Sequence, residues 1–362
     1  MRFLLFLVNN CLPQIDLILK PKQMKRILLF VMLVVSISDY AQIAITASYR
    51  GANEAFKKGE LEKFKSTTTI FVLPELNKKE DYEKILNEVW TVTPFKVVEF
   101  KQFRMLDYVD GKYSFAKLDG DISRTSKGTV YVHANLVVEI LDKEKFDKGF
   151  KKLNPEKKKY HVKLSRLFID NLIYIARAPL SVNNAFLVDA QKARTDQTKT
   201  ELFVRMYTSN SFTNTNLGML KNYFQLINSK IEKGEHSGLY DDFTTSEVKN
   251  LKESILYIPD AYFLEFSTFT TSDKLKDESE IKKLLEAYKY KYQIIKNEEL
   301  EKKILDTEPI YYLRYARMNG NKYLQIVNSK TGDPSFYYYG GLTYNLKEDD
   351  FKRINKAVEG EK

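Results

Sequence analysis

An apolar strand closed by a proline and an acid occurs twice in this chain, and each copy is followed by the same succession of elements. Thr67 to Leu73 reads as a buried strand, β-branched and apolar and stopped by Pro74, and ILYIPD (Ile255 to Asp260) matches TIFVLPE in apolar pattern, in its stopping proline and in the acid after it. After the first, Glu80 to Trp90 places Tyr82, Ile85, Leu86 and Val89 on one helical face. Pro94 ends that element, and Phe95 to Phe100, Lys112 to Leu118 and Thr129 to Leu141 read as strands, with DGDISRTSKG as the loop between the last two. After the second, Glu280 to Tyr290 is the amphipathic helix, Tyr292 to Ile295 a strand, and Glu298 to Leu305 a helix. A meander of Ile310 to Met318, Asn321 to Val327 and Ser335 to Tyr339 closes it, with the hairpin signal Asn319-Gly320 at its first turn.

Tyr113 and Tyr311 stand 198 positions apart, as do Trp90 and Tyr288. The expected fold class is therefore α/β (α+β): two similar βαβ-plus-β-meander lobes, with mixed sheets and helices packed on one face. Sequence identity between the halves is low, and two ordinary α/β segments falling into step is the plainer alternative. The expected divisions are an upstream extension at 1–23, a signal peptide at 24–42, a first lobe at 43–150, a connecting region at 151–250, and a second lobe at 251–362. Within these, Asn53 to Lys65 reads as a helical linker and Val162 to Ile175 as strand material. Ser181 to Thr200 reads as a mobile loop, Leu217 to Lys230 as an amphipathic helix, Ser246 as the start of a short helix, and Lys347 to Val358 as a terminal helix.

MKRILLFVMLVVSISDYAQ, from Met24, has a basic start, an apolar core from Ile27 to Ile37, and Ala41 before a cut at Gln42. Its apolar core is shorter than the roughly twenty residues a bilayer span needs, so no stable transmembrane span is expected after cleavage. The rival reading is an uncleaved N-terminal anchor. Cys11, the single cysteine, falls in the upstream extension, so the secreted body folds without disulfides and rests on its core. The expected location is outside the cytoplasm: periplasmic, outer-membrane-associated or extracellular. Beyond residue 42 stand 53 basic and 46 acidic residues, interleaved almost throughout. Long-range attraction to a polyanion is then weak, and no nucleic-acid partner is expected. The densest basic run is KKLNPEKKKYH, Lys151 to His161. It reads as a solvated lysine loop or as a patch for lipid headgroups or nucleic acid, the loop being the plainer reading.

The stretches VWTVTPFKVVEF, LGMLKNYFQLIN, LYIPDAYFLEF, YKYQIIKNEELEKKI, VNSKTGD and TYNLKEDDFKRIN together resemble a family of exported proteins found in Bacteroidota. The resemblance covers most of the chain after the leader. It implies export and a shared architecture and carries over no active site. Each half is also similar in pattern to small α/β modules of periplasmic assembly proteins such as the TolB N-terminal domain, and fold alone does not fix function.

The chemistry-bearing residues are sparse. His133, His161 and His236 stand far apart, and Asp119-Gly120-Asp121 lacks the ligand spacing of a calcium loop and reads as a turn, so neither a metal nor a cofactor is expected. Phosphate-cradling glycine clusters are missing from the pattern. Ser246-x-x-Lys249 and Lys330-Thr331-Gly332 match the serine β-lactamase elements, but no S-x-N element lies between them, and Ser114-x-x-Lys117 matches equally well on an expected strand. Tyr311, Tyr337, Tyr338 and Tyr339 are the candidate binding surface, since tyrosine faces stack on sugars or peptides. No catalytic, cofactor or metal residue is nominated. Three functional readings follow. The first is an exported, non-catalytic binding or structural protein for an envelope protein or polymer. The second is a carboxylate-based hydrolase of envelope polymers. The third is a carrier with a groove between its halves.

Overall fold

The computed structural model describes residues 43–48, 50–267, 272–306 and 309–361. The expectations for residues 1–42, including the start at Met24, the signal sequence and Cys11, lie outside the described residues.

The first lobe runs β1 (Ala44–Ile45), α1 (Glu60–Lys65), β2 (Thr68–Leu73), α2 (Lys79–Val89), β3 (Phe95–Glu99), β4 (Tyr113–Arg124), β5 (Val130–Leu141), α3 (Lys143–Phe150), α4 (Tyr160–Ile169) and β6 (Leu172–Pro179). Three helices follow: α5 (Asn184–Lys192), α6 (Asp196–Thr208) and α7 (Leu217–Lys233). The second lobe runs β7 (Phe243–Thr244), a 3-10 turn (Ser246–Lys252), β8 (Leu256–Pro259), the small hairpin β9 (Leu264–Ser267) and β10 (Ser272–Leu275), and α8 (Glu278–Leu285). It then continues through β11 (Tyr292–Ile295), α9 (Asn297–Leu305), β12 (Tyr311–Met318), β13 (Asn321–Asn328), β14 (Pro334–Gly340) and α10 (Glu348–Glu359).

The two six-stranded sheets have the same order. One reads β1-β6-β5-β4-β2-β3 and the other, from its matching edge, β7-β14-β13-β12-β8-β11. In each, a central strand is parallel to both neighbours and the meander is antiparallel. Thr69 pairs with Phe95 and Ser114; Leu256 pairs with Tyr292 and Tyr311. These residues all turn to the face that carries the crossover helix, with Phe71 against α2 and Ile258 against α8. Matched by face, Tyr311 answers to Ser114, one place from its sequence-spacing partner Tyr113.

The layers stack in tandem. α1, α2 and α7 cover one face of the first sheet. The 3-10 turn, α8 and α10 cover the corresponding face of the second. The back of the second sheet, with Tyr257, Tyr312 and Val327, joins α9 against α7, so that one helix serves both lobes. α7 is capped by Asn216, whose side chain accepts from Met219 N, and is ended by Gly234 in the left-handed region (φ 68). Its Phe224 ring meets Phe71 at 5.0 Å and Tyr82 at 5.8 Å. Next to it, Tyr223 lies under the Arg314 guanidinium at 4.3 Å. The back of the first sheet is covered differently, by α3 and α4 through Phe146 and Phe168 packed on Ile70, Phe115 and Leu141.

Four local expectations are corrected. Val162 to Ile169 is helix, because Leu164, Leu167 and Phe168 share one helical face over the sheet; strand begins only at Leu172. Ser181 to Thr200 is not a loop. Asn183 caps α5, Thr195 opens α6 with a reciprocal capping box, and α6 buries Leu202, Met206 and Tyr207. Asp119-Gly120-Asp121 is strand, and the turn falls at Thr125 to Thr129. A Cβ on Gly120 would sit 2.5 Å from the His133 carbonyl oxygen, so this glycine marks a close approach between strands. The linker helix is shorter than expected and starts at Glu60. β6 lies beyond residue 150 and β7 before residue 251, yet each completes a lobe's sheet.

The terminal helix is tied to the second sheet by a buried ion pair, Lys322 Nζ to Asp350 Oδ2 at 2.6 Å. Asp350 also accepts from Lys347 N at 2.8 Å, and Lys322 donates to the Asn345 carbonyl at 3.3 Å. Lys322→Met strands a carboxylate in the interior and is expected to lower stability by about 3–5 kcal/mol. Lys322→Met with Asp350→Asn is expected to recover most of that loss. Urea unfolding followed by circular dichroism checks both; equal losses in single and double variants would refute the assignment.

Candidate functional site

A cleft of about 730 Å³ opens beside the second half of the β4–β5 hairpin, and residues from both lobes line it. Its position follows from strand pairing. β2 pairs with β4 only over Tyr113–Ala116, which leaves the edge of β4 from Lys117 onward free of β2. α6 occupies that edge, and the Tyr207 hydroxyl donates to the Leu118 carbonyl at 2.8 Å. On the other side, β6 ends at Pro179, opposite Asn135. The upstream part of β5 therefore has donors to spare, and Val132 N donates to Asn319 Oδ1 of the second lobe at 2.9 Å. Asn319, at φ 57, holds the β12–β13 hairpin turn that its sequence signals.

The sheet register gathers the polar residues. Asp121 is opposite His133 and Asp119 opposite Asn135, so alternation puts these four on one face with Lys117 and Glu139. Lys117 Nζ lies 2.9 Å from Glu139 Oε1 and 3.6 Å from Asp119 Oδ1. Burial opposes the charge on Lys117, but Glu139 and then Asp119 outweigh it and hold the ammonium pKa up. Burial pushes the Glu139 carboxyl up against the pull of Lys117. Burial, then Glu139 and Asp119, push the Tyr174 phenol up to about 12, and Arg177 lies over its ring at 4.9 Å. Asn135 is 4% exposed, lines the cleft, and its Oδ1 has no hydrogen-bond partner among the described residues.

The rim combines aromatic and amide groups. Tyr240, Tyr323, Asn319 and Asn321 come from the connecting segment and the second lobe. A neighbouring cavity of about 300 Å³ reaches Lys117 from the C-terminal end of β2, where α9 contributes Asn297 and Glu301. Among the described residues no group of three or more His, Cys, Asp or Glu stands close enough to hold a metal ion. Among them also, no helix is long and apolar enough to cross a membrane.

The four candidate tyrosines do not form one surface. Tyr311 is 8% exposed and bonded to Asn250 and Glu247, at 2.8 and 3.0 Å. Tyr337 is buried and donates to the Leu239 carbonyl. Tyr338, on the opposite face, is covered by Arg353 at 4.4 Å and Lys322 at 5.9 Å. Tyr339 stands nearest the cleft, backing the lining residues Tyr240 at 5.1 Å and Tyr323 at 5.5 Å. Of the serine–lysine matches, Ser246 begins a 3-10 turn capped by Thr245, Lys330 stands in a turn, and Ser114 is buried in a hydroxyl cluster with Thr67 and Thr69. Of the cleft residues, Asp119, Gly120 and Asp121 fall in the segment that reads as loop, and His133 and Asn135 fall in a segment that reads as strand; the alternation Lys117, Asp119, Asp121 is the signal that continues the strand.

No protein-family model, curated protein or solved structure matches this chain.

Desolvation pushes the His133 pKa below its ordinary value; Asp121 works against this and Arg177 adds to it. A base with a lowered folded-state pKa leaves stability intact at neutral pH and erodes it as pH falls through the unfolded value of about 6.5. The His133 imidazole resonance is expected to titrate below that value, lower still in Asp121→Asn and higher in Arg177→Gln. Movement of the two variants in the same direction would refute this charge arrangement.

Proposed function

We propose that this chain is an exported, envelope-associated binding protein without catalytic activity, and that the inter-lobe cleft holds its ligand. The sequence resemblance to exported Bacteroidota proteins supports the location. The two lobes, equal in strand order, are read as an internal repeat whose junction forms the site. The observation that carries the reading is Asn135: it lines the cavity, its buried side-chain oxygen has no partner among the described residues, and a ligand donor seated there would supply one. The occupant that fits is a segment of a glycan polymer. Its hydroxyls match the amide and carboxylate groups of Asn135, Asn319, Asn321 and Asp119, and its ring faces match the exposed Tyr240.

One observation favours the hydrolase as second reading. Asp119 and Asp121 line the same cleft two residues apart on one face of a strand, and inversion at a glycosidic bond uses two carboxyl groups in one cleft. Against it, Lys117 and Glu139 hold Asp119 in an ion-pair network.

Titration calorimetry of the exported protein against oligosaccharides released from envelope polymers tests the reading. Binding is expected, and Asn135→Leu is expected to weaken it at least tenfold, about 1.4 kcal/mol, with the unfolding midpoint retained. Shortened glycan products in mass spectra, abolished by Asp121→Asn, would transfer the assignment to the hydrolase. Unchanged affinity in Asn135→Leu would remove the cleft from the proposal.

A further inference from the structure

The charge of this chain is concentrated at one place, and that place also exposes apolar side chains. Between Lys148 and Arg166 stand eight basic residues and one acid, Glu156. That excess equals the whole imbalance of the chain beyond residue 42, so the remainder beyond that residue sums to zero net charge. The segment forms the end of α3, the connecting loop and α4, and all eight basic residues are exposed. Lys148 pairs with Glu144 and Arg166 with Asp170. The six lysines between them have no acid within ion-pair distance among the described residues. Phe150, Val162 and Ile169 protrude among these charges at 45%, 68% and 56% exposure. Val162, Arg166 and Ile169 share one helical face, which forms a shallow groove. The hairpin is firmly seated: Phe146 and Phe168 are buried in the sheet core beneath it.

We propose that the α3–α4 hairpin docks the protein on an anionic lipid surface. Charge complementarity identifies the occupant. Unpaired lysines crowded around projecting apolar residues suit phosphate headgroups above an acyl boundary, where the charges stay wet and Phe150, Val162 and Ile169 enter the interface. Nucleic acid fits less well. The patch has one arginine against seven lysines, so it lacks the planar forks that grip phosphates in pairs, and a duplex offers its apolar residues nothing to enter. Ile169 also lines the inter-lobe cleft, so docking here sets the mouth of that cleft beside the membrane. The docking surface does not depend on what the cleft binds.

Co-sedimentation of the exported protein with vesicles tests this, comparing phosphatidylglycerol-containing vesicles with pure phosphatidylcholine. Binding is expected to the anionic vesicles only, and to fall steeply with added salt. The variant Lys157→Glu, Lys158→Glu, Lys159→Glu is expected to lose tenfold or more of that partitioning. Phe150→Ser with Val162→Ser is expected to lose a large part of it while the lysines remain. Circular dichroism and urea midpoints confirm that these exposed changes leave the fold intact. Equal binding to neutral vesicles, no binding to either kind, or unaltered binding by the lysine variant each overturns the proposal. Binding to duplex DNA as tight as to vesicles, and indifferent to the apolar variant, reassigns the patch to polyanions and overturns it too.

Discussion

Helix α7 is the constraint on which both lobes depend. Neither sheet can hide its apolar residues alone: the first needs a helix beside α2, and the second needs cover for Tyr257, Tyr312 and Val327. α7 meets both needs through neighbouring residues on different sides, Phe224 toward the first lobe and Tyr223 toward the second. Apolar contact alone would let the sheets slide over this helix. Directional bonds fix the setting. Asn228 Oδ1 accepts from the Thr91 and Val92 amides at 2.8 and 3.0 Å, and Asn222 accepts from the Tyr312 hydroxyl at 3.0 Å while donating to the Ser329 carbonyl at 2.8 Å. Buried amides of this kind are costly when unpaired, so each also penalises other arrangements.

The cleft lies where the matched lobes cease to match. In the second lobe, β13 passes to β14 through the short turn Ser329 to Asp333, and the back of the sheet is covered by α9 and α7. In the first lobe, α3 and α4 are inserted between β5 and β6. They seal the back of the sheet around Ile70, Phe115 and Leu141. Past Lys117 they no longer cover it, and the exposed strand face turns polar. The insertion thus supplies half a roof, and its own outer surface bears the lysines and protruding apolar residues.

The repeated order of elements was legible because its signals are local. Proline stops, one-faced helices and the Asn319-Gly320 turn depend on neighbours in sequence. The cleft was legible only in part. Lys117, Asp119 and Asp121 alternate as strand residues should, yet glycine and aspartate favour turns, and that preference concealed a strand whose glycine is required by the nearby His133 carbonyl. α4 was misread for a related reason. VKLSRLFI alternates apolar and polar residues over its first half, and only packing against Phe115 and Phe146 selects the helical period. The tyrosine run carried the right alternation, but burial depends on partners from distant segments: Asn250 and Glu247 for Tyr311, and Leu239 for Tyr337.

Matching the lobes by face also explains what separates a binding floor from a core. Three residues along from Ser114 and Tyr311 lie Lys117 and Arg314, equivalent cations on the backs of equivalent strands. Arg314 is fully buried, donates from Nε to Gln325 Oε1 at 2.6 Å, rests on the Tyr223 ring, and has no carboxylate within ion-pair distance among the described residues. Its planar, weakly hydrated guanidinium tolerates that setting. Lys117 is a compact and strongly hydrated ammonium, and it requires the acids that accompany it, Glu139 and Asp119. A buried ion pair is seldom the most stable filling for such a site, since apolar residues of similar volume serve as well or better. The acids therefore add little to the stability of the first sheet. Their effect is to keep one half of its back polar and open at the position where the second sheet is closed.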